Sequence, residues 1–141
     1  MLTALAVVLM AIFALLGLLH LYWASGGQYA KVAAIPELRG TPAFLPGRMA
    51  TLLVAAALLA CVALIAAAGG FIRIPLSSVV IQRSCFGLSL VLLLRAIGDF
   101  RLLGFFKTVR GSRFAWLDTA LYSPLCLFLA AGLLMVGWKA D

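Results

Sequence analysis

The sequence predicts an all-α integral membrane protein, a bundle of four antiparallel transmembrane helices with a proline-rich interfacial loop after the first helix. Two observations lead to this fold class. First, 66% of the residues are hydrophobic, only 11% are charged, and the mean hydropathy is +1.21. A soluble domain of about 150 residues leaves roughly 30% of its unfolded surface in water, so it could not hide this much apolar surface. Second, the apolar residues form four separate runs, which fit a single domain over residues 1–141.

The four apolar runs each match the thickness of a bilayer. A spanning helix needs about 20 mostly apolar residues, and the runs cover about residues 2–24, 49–68, 77–97 and 119–138. The first run has no formal charge, and no basic residue precedes Lys31. A cleaved signal peptide has a basic start and a shorter apolar core, so we expect the first run to remain in the protein as a span.

Small residues and one proline predict how the spans pack. Four alanines of the second span recur at helical spacing on one stripe, where we expect contact with a neighbouring helix because small residues let helices approach closely in lipid. Pro124 lies near the predicted start of the fourth span. Because proline lacks a backbone donor, it predicts a kink there or a late start of the helix. The alanines of this stripe are Ala56, Ala60, Ala63 and Ala67.

The first loop, Ser25 to Arg48, is too apolar for a solvated linker and too rich in proline for a regular helix. Pro36, Pro42 and Pro46 fall within eleven residues. We expect the loop to lie against the membrane interface at the mouth of the bundle. Two interpretations stay open: the loop rests among the lipid head groups, or it forms a lid over a site.

The basic residues are distributed unevenly between the two sides of the membrane. The first and third loops carry seven of them, and the opposite side carries three. Because cytoplasmic loops are enriched in Lys and Arg, we expect these two loops in the cytoplasm and both termini outside. The seven are Lys31, Arg39, Arg48, Arg101, Lys107, Arg110 and Arg113, and the three are Arg73, Arg83 and Lys139.

The composition also limits the partners and the chemistry. The net charge of +7 sits in short loops, where each basic residue near anionic head groups is worth about 1 kcal/mol, so membrane lipids are expected partners and nucleic acid is not. One histidine is too few for a metal site, and no glycine-rich phosphate loop is present. The sequence predicts no metal and no cofactor. The three cysteines, which form no C-x-x-C pair and read as packing residues, are Cys61, Cys85 and Cys126.

Polar side chains of three spans gather at one predicted depth, near the cytoplasmic ends. Ionisable residues inside spans are expensive and are therefore functional candidates. Arg95 and Asp99 lie four residues apart, so they share a face of the third helix. His20 lies near the end of the first span, and Asp118 opens the fourth. Further ligand-binding candidates at this depth are Tyr22, Arg48 and Tyr122.

These side chains allow two interpretations. In the first, the four ionisable residues line a pocket for an anionic head group or for acid–base chemistry. Arginine binds carboxylate or phosphate through two parallel hydrogen bonds, and histidine exchanges a proton near neutral pH. In the second, Arg95 pairs with Asp99 or Asp118 only to neutralise charge between helices, and His20 bonds a loop carbonyl.

Four short strings are distinctive in combination: HLYWASGG (residues 20–27), RAIGDFR (95–101), FAWLD (114–118) and YSPLC (122–126). With them, nearly the whole chain resembles a family of small bacterial four-helix membrane proteins known only as a domain of unknown function. The resemblance implies four spans in the bacterial cytoplasmic membrane, which would put the two termini in the periplasm. It implies no activity.

The sequence favours a non-catalytic membrane component that holds a lipid, a small anion or a partner at the polar cluster. The alternative is a small intramembrane enzyme that acts on a lipid or isoprenoid substrate, with His20 or Asp99 as the acid–base group and Arg95 on the head group. A dimeric transporter is a third, minor hypothesis. The expected partners are an anionic head group or small hydrophobic ligand, and a second copy of the chain or another membrane protein.

Overall fold

The computed structural model describes residues 1–139, which contain four helices long and apolar enough to cross a membrane. The all-helical fold class is therefore confirmed, and the chain is a multi-pass membrane protein. The helices α2 and α3 lie within one residue of the predicted second and third spans. The four spans are α1 (Leu2–Ala24), α2 (Arg48–Ala68), α3 (Ser78–Ile97) and a composite fourth span (Arg113–Gly137).

The fourth span is built from three consecutive pieces. Its first part, α4, covers Arg113–Leu117. A π-helical turn, Asp118–Tyr122, follows, and α5 continues over Ser123–Gly137. The Ser123 N–H donates to the Asp118 carbonyl across this wide turn. Single π-turns inside α-helices are rare and occur often at functional sites, so this turn is a candidate position for a functional residue.

The fourth helix begins earlier than the predicted residue 119. The Ser112 hydroxyl accepts a hydrogen bond from the Ala115 N–H at 3.0 Å, so a serine cap starts the helix at Arg113. Pro124 occupies the first turn of α5, directly after the π-turn. Local π adjustments let membrane helices tolerate the missing N–H of a proline, and the span continues through Pro124 to Gly137.

The α1–α2 loop, residues 25–47, contains a small hairpin. A 3₁₀ turn (Val32–Ala34) precedes β1 (Glu37–Leu38), which pairs antiparallel with β2 (Thr41–Pro42). The hairpin turns at Arg39 and Gly40, which have φ values of 53° and 79°. Positive φ at both central residues is the geometry of the tight turns that suit β-hairpins.

The first two helices pack along each other through apolar side chains. The core beside them includes Leu9, Phe13 and Ile65, each at most 1% exposed. Gly17 makes the closest approach, because a Cβ added there would lie 2.8 Å from Leu59 Cδ2. This half of the bundle is therefore joined by aliphatic contact.

The alanine stripe of α2 faces away from the other helices. Ala56, Ala60 and Ala63 are exposed and Ala67 is partly buried, whereas Ala55 is fully buried. The prediction that the stripe packs against a neighbouring helix of the bundle is therefore wrong for its first three alanines. The reason is that α1 supplies the small residue of this contact at Gly17, so α2 can present the larger Leu59 to α1.

The helix α3 packs along the fourth span through small and polar groups. The Ser89 hydroxyl donates to the Ala130 carbonyl at 2.7 Å, fully inside the protein. A Cβ added to Gly137 would lie 2.7 Å from Cys85 Cβ, so the two backbones are close. This half of the bundle is joined by contacts between small residues and by polar bonds. Its fourth span also carries the buried carboxylate of Asp118.

Candidate functional site

Asp118 is the centre of the polar interior. Its side chain has no exposed surface, and it lies in the π-turn of the fourth span. Arg95 Nη2 donates to Asp118 Oδ1 at 2.7 Å. The Gly104 N–H donates to Oδ2 at 2.7 Å, and Lys107 Nζ donates to the same oxygen at 3.1 Å. Charge-assisted bonds of this kind are roughly twice as strong as neutral ones, so Asp118 joins α3, the following loop and the fourth span.

Lys107 is the second cation of this site, and it is buried. Its side chain is 1% exposed. Besides Asp118, its ammonium donates to the Gly104 carbonyl at 2.9 Å and to the Thr119 hydroxyl at 2.5 Å. An ammonium has three donors, and each finds an acceptor here. Lys107 is therefore a structural cation, and we name the group of Arg95, Lys107 and Asp118 the Asp118 cluster.

Two glycines let the α3–α4 loop, residues 98–112, fold back onto the end of α3. Gly98 and Gly104 have φ values of 93° and 84°, a region that favours glycine. Their backbones touch, since a Cβ added to Gly104 would lie 2.3 Å from the Ile97 carbonyl oxygen. The Phe105 N–H donates to the Ala96 carbonyl at 2.9 Å. This close crossing brings the Gly104 N–H to Asp118 and so builds the cluster.

The Asp118 cluster carries one more positive than negative charge. Arg95 and Lys107 share the single carboxylate. Arg95 Nη1 is enclosed and makes no hydrogen bond within residues 1–139, and the same holds for the buried Ser123 hydroxyl at the end of the π-turn. The Arg95 side chain nevertheless remains 30% exposed. The cluster thus has donor capacity that the described residues do not use.

Asp99 does not join this cluster. It is exposed, and its Oδ1 accepts from the N–H groups of Arg101, Leu102 and Leu103 at 2.7–2.9 Å. Slight burial raises the pKa of the Asp99 carboxyl, but the backbone N–H groups lower it by more, so the net pKa lies below the ordinary value of 3.8. Asp99 therefore shapes the α3–α4 loop as a local cap.

His20 lies on α1 and is half-buried. Its Nδ1–H donates to the Leu16 carbonyl one turn earlier at 2.8 Å, and its ring meets Trp23 edge-on at 4.9 Å. Within residues 1–139, no hydrogen bond or ion pair joins His20 to the Asp118 cluster. Tyr22 and Arg48 are exposed at the two ends of the α1–α2 loop, and the Tyr22 ring lies over Gly27.

Tyr122 connects the fourth span to the α1–α2 loop. It lies one turn after Asp118, and its hydroxyl donates to the Ala33 carbonyl at 3.1 Å. The loop also borders a cavity of about 240 Å³ whose lining includes Gln28, Val32 and Arg113 but none of the Asp118 cluster. The loop is thus tied to the helix that carries Asp118, and this cavity lies beside the start of that helix.

Sequence reasoning placed Arg95 and Asp118 at one site but missed Lys107, which it counted as a loop charge. The structure pairs Arg95 with Asp118, which is one of the two carboxylates, Asp99 and Asp118, that the ion-pair interpretation offers. The overlooked signal is the composition of residues 98–111, where three glycines and six apolar residues accompany five polar or charged ones. Such a segment folds back on the protein more readily than it extends into water, and a lysine inside it needs a buried partner.

Comparison with known proteins identifies the family of this chain. The sequence profile of DUF3995, a protein family of unknown function, matches residues 3–133. Comparison with curated proteins and with solved structures returns no match. The matched range overlaps each of the four described helices that could span a membrane, ends at residue 133 within the fourth, and contains the whole Asp118 cluster. The chain therefore belongs to the DUF3995 family.

Proposed function

We propose that this protein is a non-catalytic membrane component that binds the anionic head group of a lipid at Arg95. The observation that carries the proposal is the surplus positive charge of the Asp118 cluster together with the 30% exposure of the Arg95 side chain, which leaves part of this cation within reach of a ligand. A buried carboxylate holds one edge of the guanidinium, so the arginine is pre-oriented. A phosphate oxygen is the chemical group that such a planar, charged donor recognises best.

The position of Arg95 supports a lipid as the source of that phosphate. Arg95 lies in the last turn of α3, where a spanning helix leaves the bilayer. Its partly exposed side chain therefore lies at head-group depth in the proposed arrangement. Lys107 and Asp118 would stay in place as a rigid support, because both are already saturated with internal bonds.

The same proposal includes the arrangement of the chain in the membrane. We place the four spans alternately up and down in a bacterial cytoplasmic membrane, with the proline-rich α1–α2 loop at the cytoplasmic interface and both termini in the periplasm. Lys107 still counts toward this orientation although it is buried, because loop charges act during insertion, before the loop folds. Reporter fusions within residues 101–113 and after Lys139 should therefore report opposite sides. A cytoplasmic reporter after Lys139 would reverse the orientation.

Acid–base catalysis, the alternative from the sequence, has less support. The Nδ1–H of His20 is occupied by a carbonyl of its own helix, and Asp99 Oδ1 is occupied by three backbone donors. Neither side chain lines the two cavities of about 240 Å³ beside the α1–α2 loop. Head-group binding needs only Arg95 and its support from Lys107 and Asp118, so it is the function that we propose.

The test compares lipid binding by two arginine variants of one helix. Arg95→Gln removes the proposed ligand-binding charge, and Arg83→Gln removes an exposed charge from the same helix as a matched control. The full chain in detergent is titrated with phosphatidylglycerol, phosphatidylcholine or inorganic phosphate. Bound lipid is counted by native mass spectrometry, and thermal stability is recorded in parallel.

We expect phosphatidylglycerol to bind and to raise the melting temperature of the unmodified chain and of Arg83→Gln, and to lose this effect in Arg95→Gln. Arg95→Lys, which keeps the charge but not the planar fork, should retain the fold with weaker binding. Stabilisation by inorganic phosphate alone would identify a free anion as the ligand and overturn the lipid. Equal binding by both glutamine variants would overturn the site.

A further inference from the structure

Two phenylalanines project together from the α3–α4 loop. Phe100 and Phe106 are each 62% exposed, and their ring centroids lie 6.3 Å apart. Side-by-side exposure of two large apolar rings on a loop is unfavourable in water, at roughly 25 cal/mol for each Å² of apolar surface. Neither ring contributes to the Asp118 cluster, so the proposed head-group site does not account for them.

The backbone that carries these rings is strained and firmly held. Phe100 has a φ of 62°, a left-handed conformation that is costly for any side chain with a Cβ. The strain persists because the surrounding loop is fixed, by Asp99 on one side of Phe100 and by the Gly98–Gly104 crossing on the other. Strained residues cluster at functional positions because the surroundings must over-determine them.

Most of the charged side chains in the loop that carries the two rings are positive. Arg101, Arg110 and Arg113 are exposed in or next to the same loop. The carboxylate of Asp99 is the acidic group of this segment, and its Oδ1 is engaged by backbone donors. A rigid apolar pair with an arginine rim is complementary to an apolar layer beneath an anionic surface.

We infer that Phe100 and Phe106 form an interfacial anchor that inserts into the bilayer beneath anionic head groups. The loop continues directly from the spanning helix α3, so the bilayer is adjacent, and each arginine near an anionic surface adds about 1 kcal/mol of attraction. An acidic protein partner would suit the arginines but gives no reason for two rings beside a membrane. The anchor stands independently of head-group binding at Arg95.

The test replaces one ring at a time with p-cyanophenylalanine in the full chain, whose nitrile stretching frequency reports contact with water. Thr108, which is exposed in the same loop, is the matched control position. Each labelled chain is reconstituted in vesicles of phosphatidylcholine alone or of phosphatidylcholine and phosphatidylglycerol in equal parts. Arg101→Gln combined with Arg110→Gln tests the contribution of the rim, and circular dichroism confirms the helical fold of every variant.

We expect the nitriles at positions 100 and 106 to shift toward the dehydrated frequency in the mixed vesicles, and the nitrile at position 108 to stay hydrated. The shift should shrink in phosphatidylcholine alone and in the double glutamine variant. Equal hydration at all three positions in both vesicles would overturn the anchor. Dehydration that rises with the ratio of protein to lipid would also overturn it, in favour of a second copy of the chain covering the rings.

Discussion

The two halves of this bundle are held together in different ways. The helices α1 and α2 meet through aliphatic side chains, and the polar groups His20 and Thr51 bond only backbone of their own helix or of its cap. The helix α3 and the fourth span meet through a serine–carbonyl bond and through the Asp118 cluster. Lipid is as apolar as leucine, so the polar half has the more specific interaction and the apolar half depends on shape alone.

This difference explains where function is expected. In the apolar half, no buried side-chain donor of the described residues lacks a hydrogen-bond partner. In the polar half, the π-turn and the two loop glycines place three charges inside the protein, and the donors of Arg95 exceed the acceptors around them. Buried polar networks are favourable only when fully satisfied, so the incomplete one is the functional candidate.

The largest effect should come from breaking the polar half at its centre. Asp118→Asn keeps the size of the side chain but removes the charge that Arg95 and Lys107 share. Removing one partner of a buried ion pair costs about 3–5 kcal/mol. We expect the free energy of unfolding, measured by denaturant titration in detergent micelles, to fall by about that amount.

A second substitution distinguishes an ion-pair effect from simple loss of packing. Adding Lys107→Met to Asp118→Asn removes a buried cation that the first change left unpaired. Apolar replacement of a buried pair is often neutral, so the double variant should recover part of the loss. A double variant no more stable than Asp118→Asn would contradict the ion-pair explanation, as would a single-variant loss below about 1 kcal/mol, the size of a surface pair.

The four spans could be predicted from the sequence because the bilayer imposes their length and composition. Runs of about 20 apolar residues leave little alternative to a spanning helix. The expectation that Arg95 pairs with a carboxylate follows the same logic, since an arginine near the end of a span needs a partner, although the sequence left Asp99 and Asp118 open as that partner. These features depend on the lipid environment, which acts in the same way on every residue of an apolar segment.

The remaining parts depend on single backbone positions and could not be predicted in this way. The burial of Lys107 requires Gly98 and Gly104 to adopt positive φ and to touch, which the sequence permits but does not require. The π-turn at Asp118 likewise adds one residue to a helix whose pattern reads as continuous. The orientation of the α2 alanines depends on which helix contributes the small residue to the α1–α2 contact. Here α1 contributes it, at Gly17.

The next largest effect should come from two matched glycine substitutions, one in each half of the bundle. A Cβ on Gly137 meets Cys85 Cβ at 2.7 Å, which moves only with its backbone, whereas a Cβ on Gly17 meets the flexible end of Leu59. Overpacking typically costs about 1–3 kcal/mol. We expect Gly137→Ala to lose stability in that range. Gly17→Ala should lose much less stability, because the flexible end of Leu59 can move away from the added Cβ. Alanine inside a helix also regains about 0.5–1 kcal/mol over glycine.

The measurement is again denaturant titration of both variants in the same detergent. Equal losses would show that the two interfaces tolerate added volume alike, and would contradict the distinction between aliphatic and small-residue packing.

A smaller effect concerns the strained loop of the polar half. Phe100→Ala and Phe100→Gly both remove the ring, but only glycine relieves the positive φ. We expect the glycine variant to be more stable in detergent than the alanine variant by about 1 kcal/mol. Equal stability of the two would show that the loop relaxes freely around position 100, and would contradict the strain at Phe100.

The smallest expected effect is a response of the α3–α4 loop to acid. The pKa of Asp99 lies below its ordinary value of 3.8, because backbone donation outweighs the opposing effect of slight burial. A carboxyl with a lowered pKa in the folded state stabilises that state fully above its unfolded pKa, and the contribution is lost as the pH falls through the folded pKa. Acidification below about pH 4 should therefore loosen this loop.

Hydrogen exchange between about pH 5 and pH 3, corrected for the intrinsic rate, tests this response. Protection should fall at the amides of Arg101, Leu102 and Leu103, which donate to Asp99. It should stay constant at the amide of Gly27 in the α1–α2 loop, which donates to the Tyr22 carbonyl in the last turn of α1. Asp99→Asn cannot titrate and should abolish the pH dependence. If the dependence survives in that variant, protonation of Asp99 does not cause the acid response of this loop.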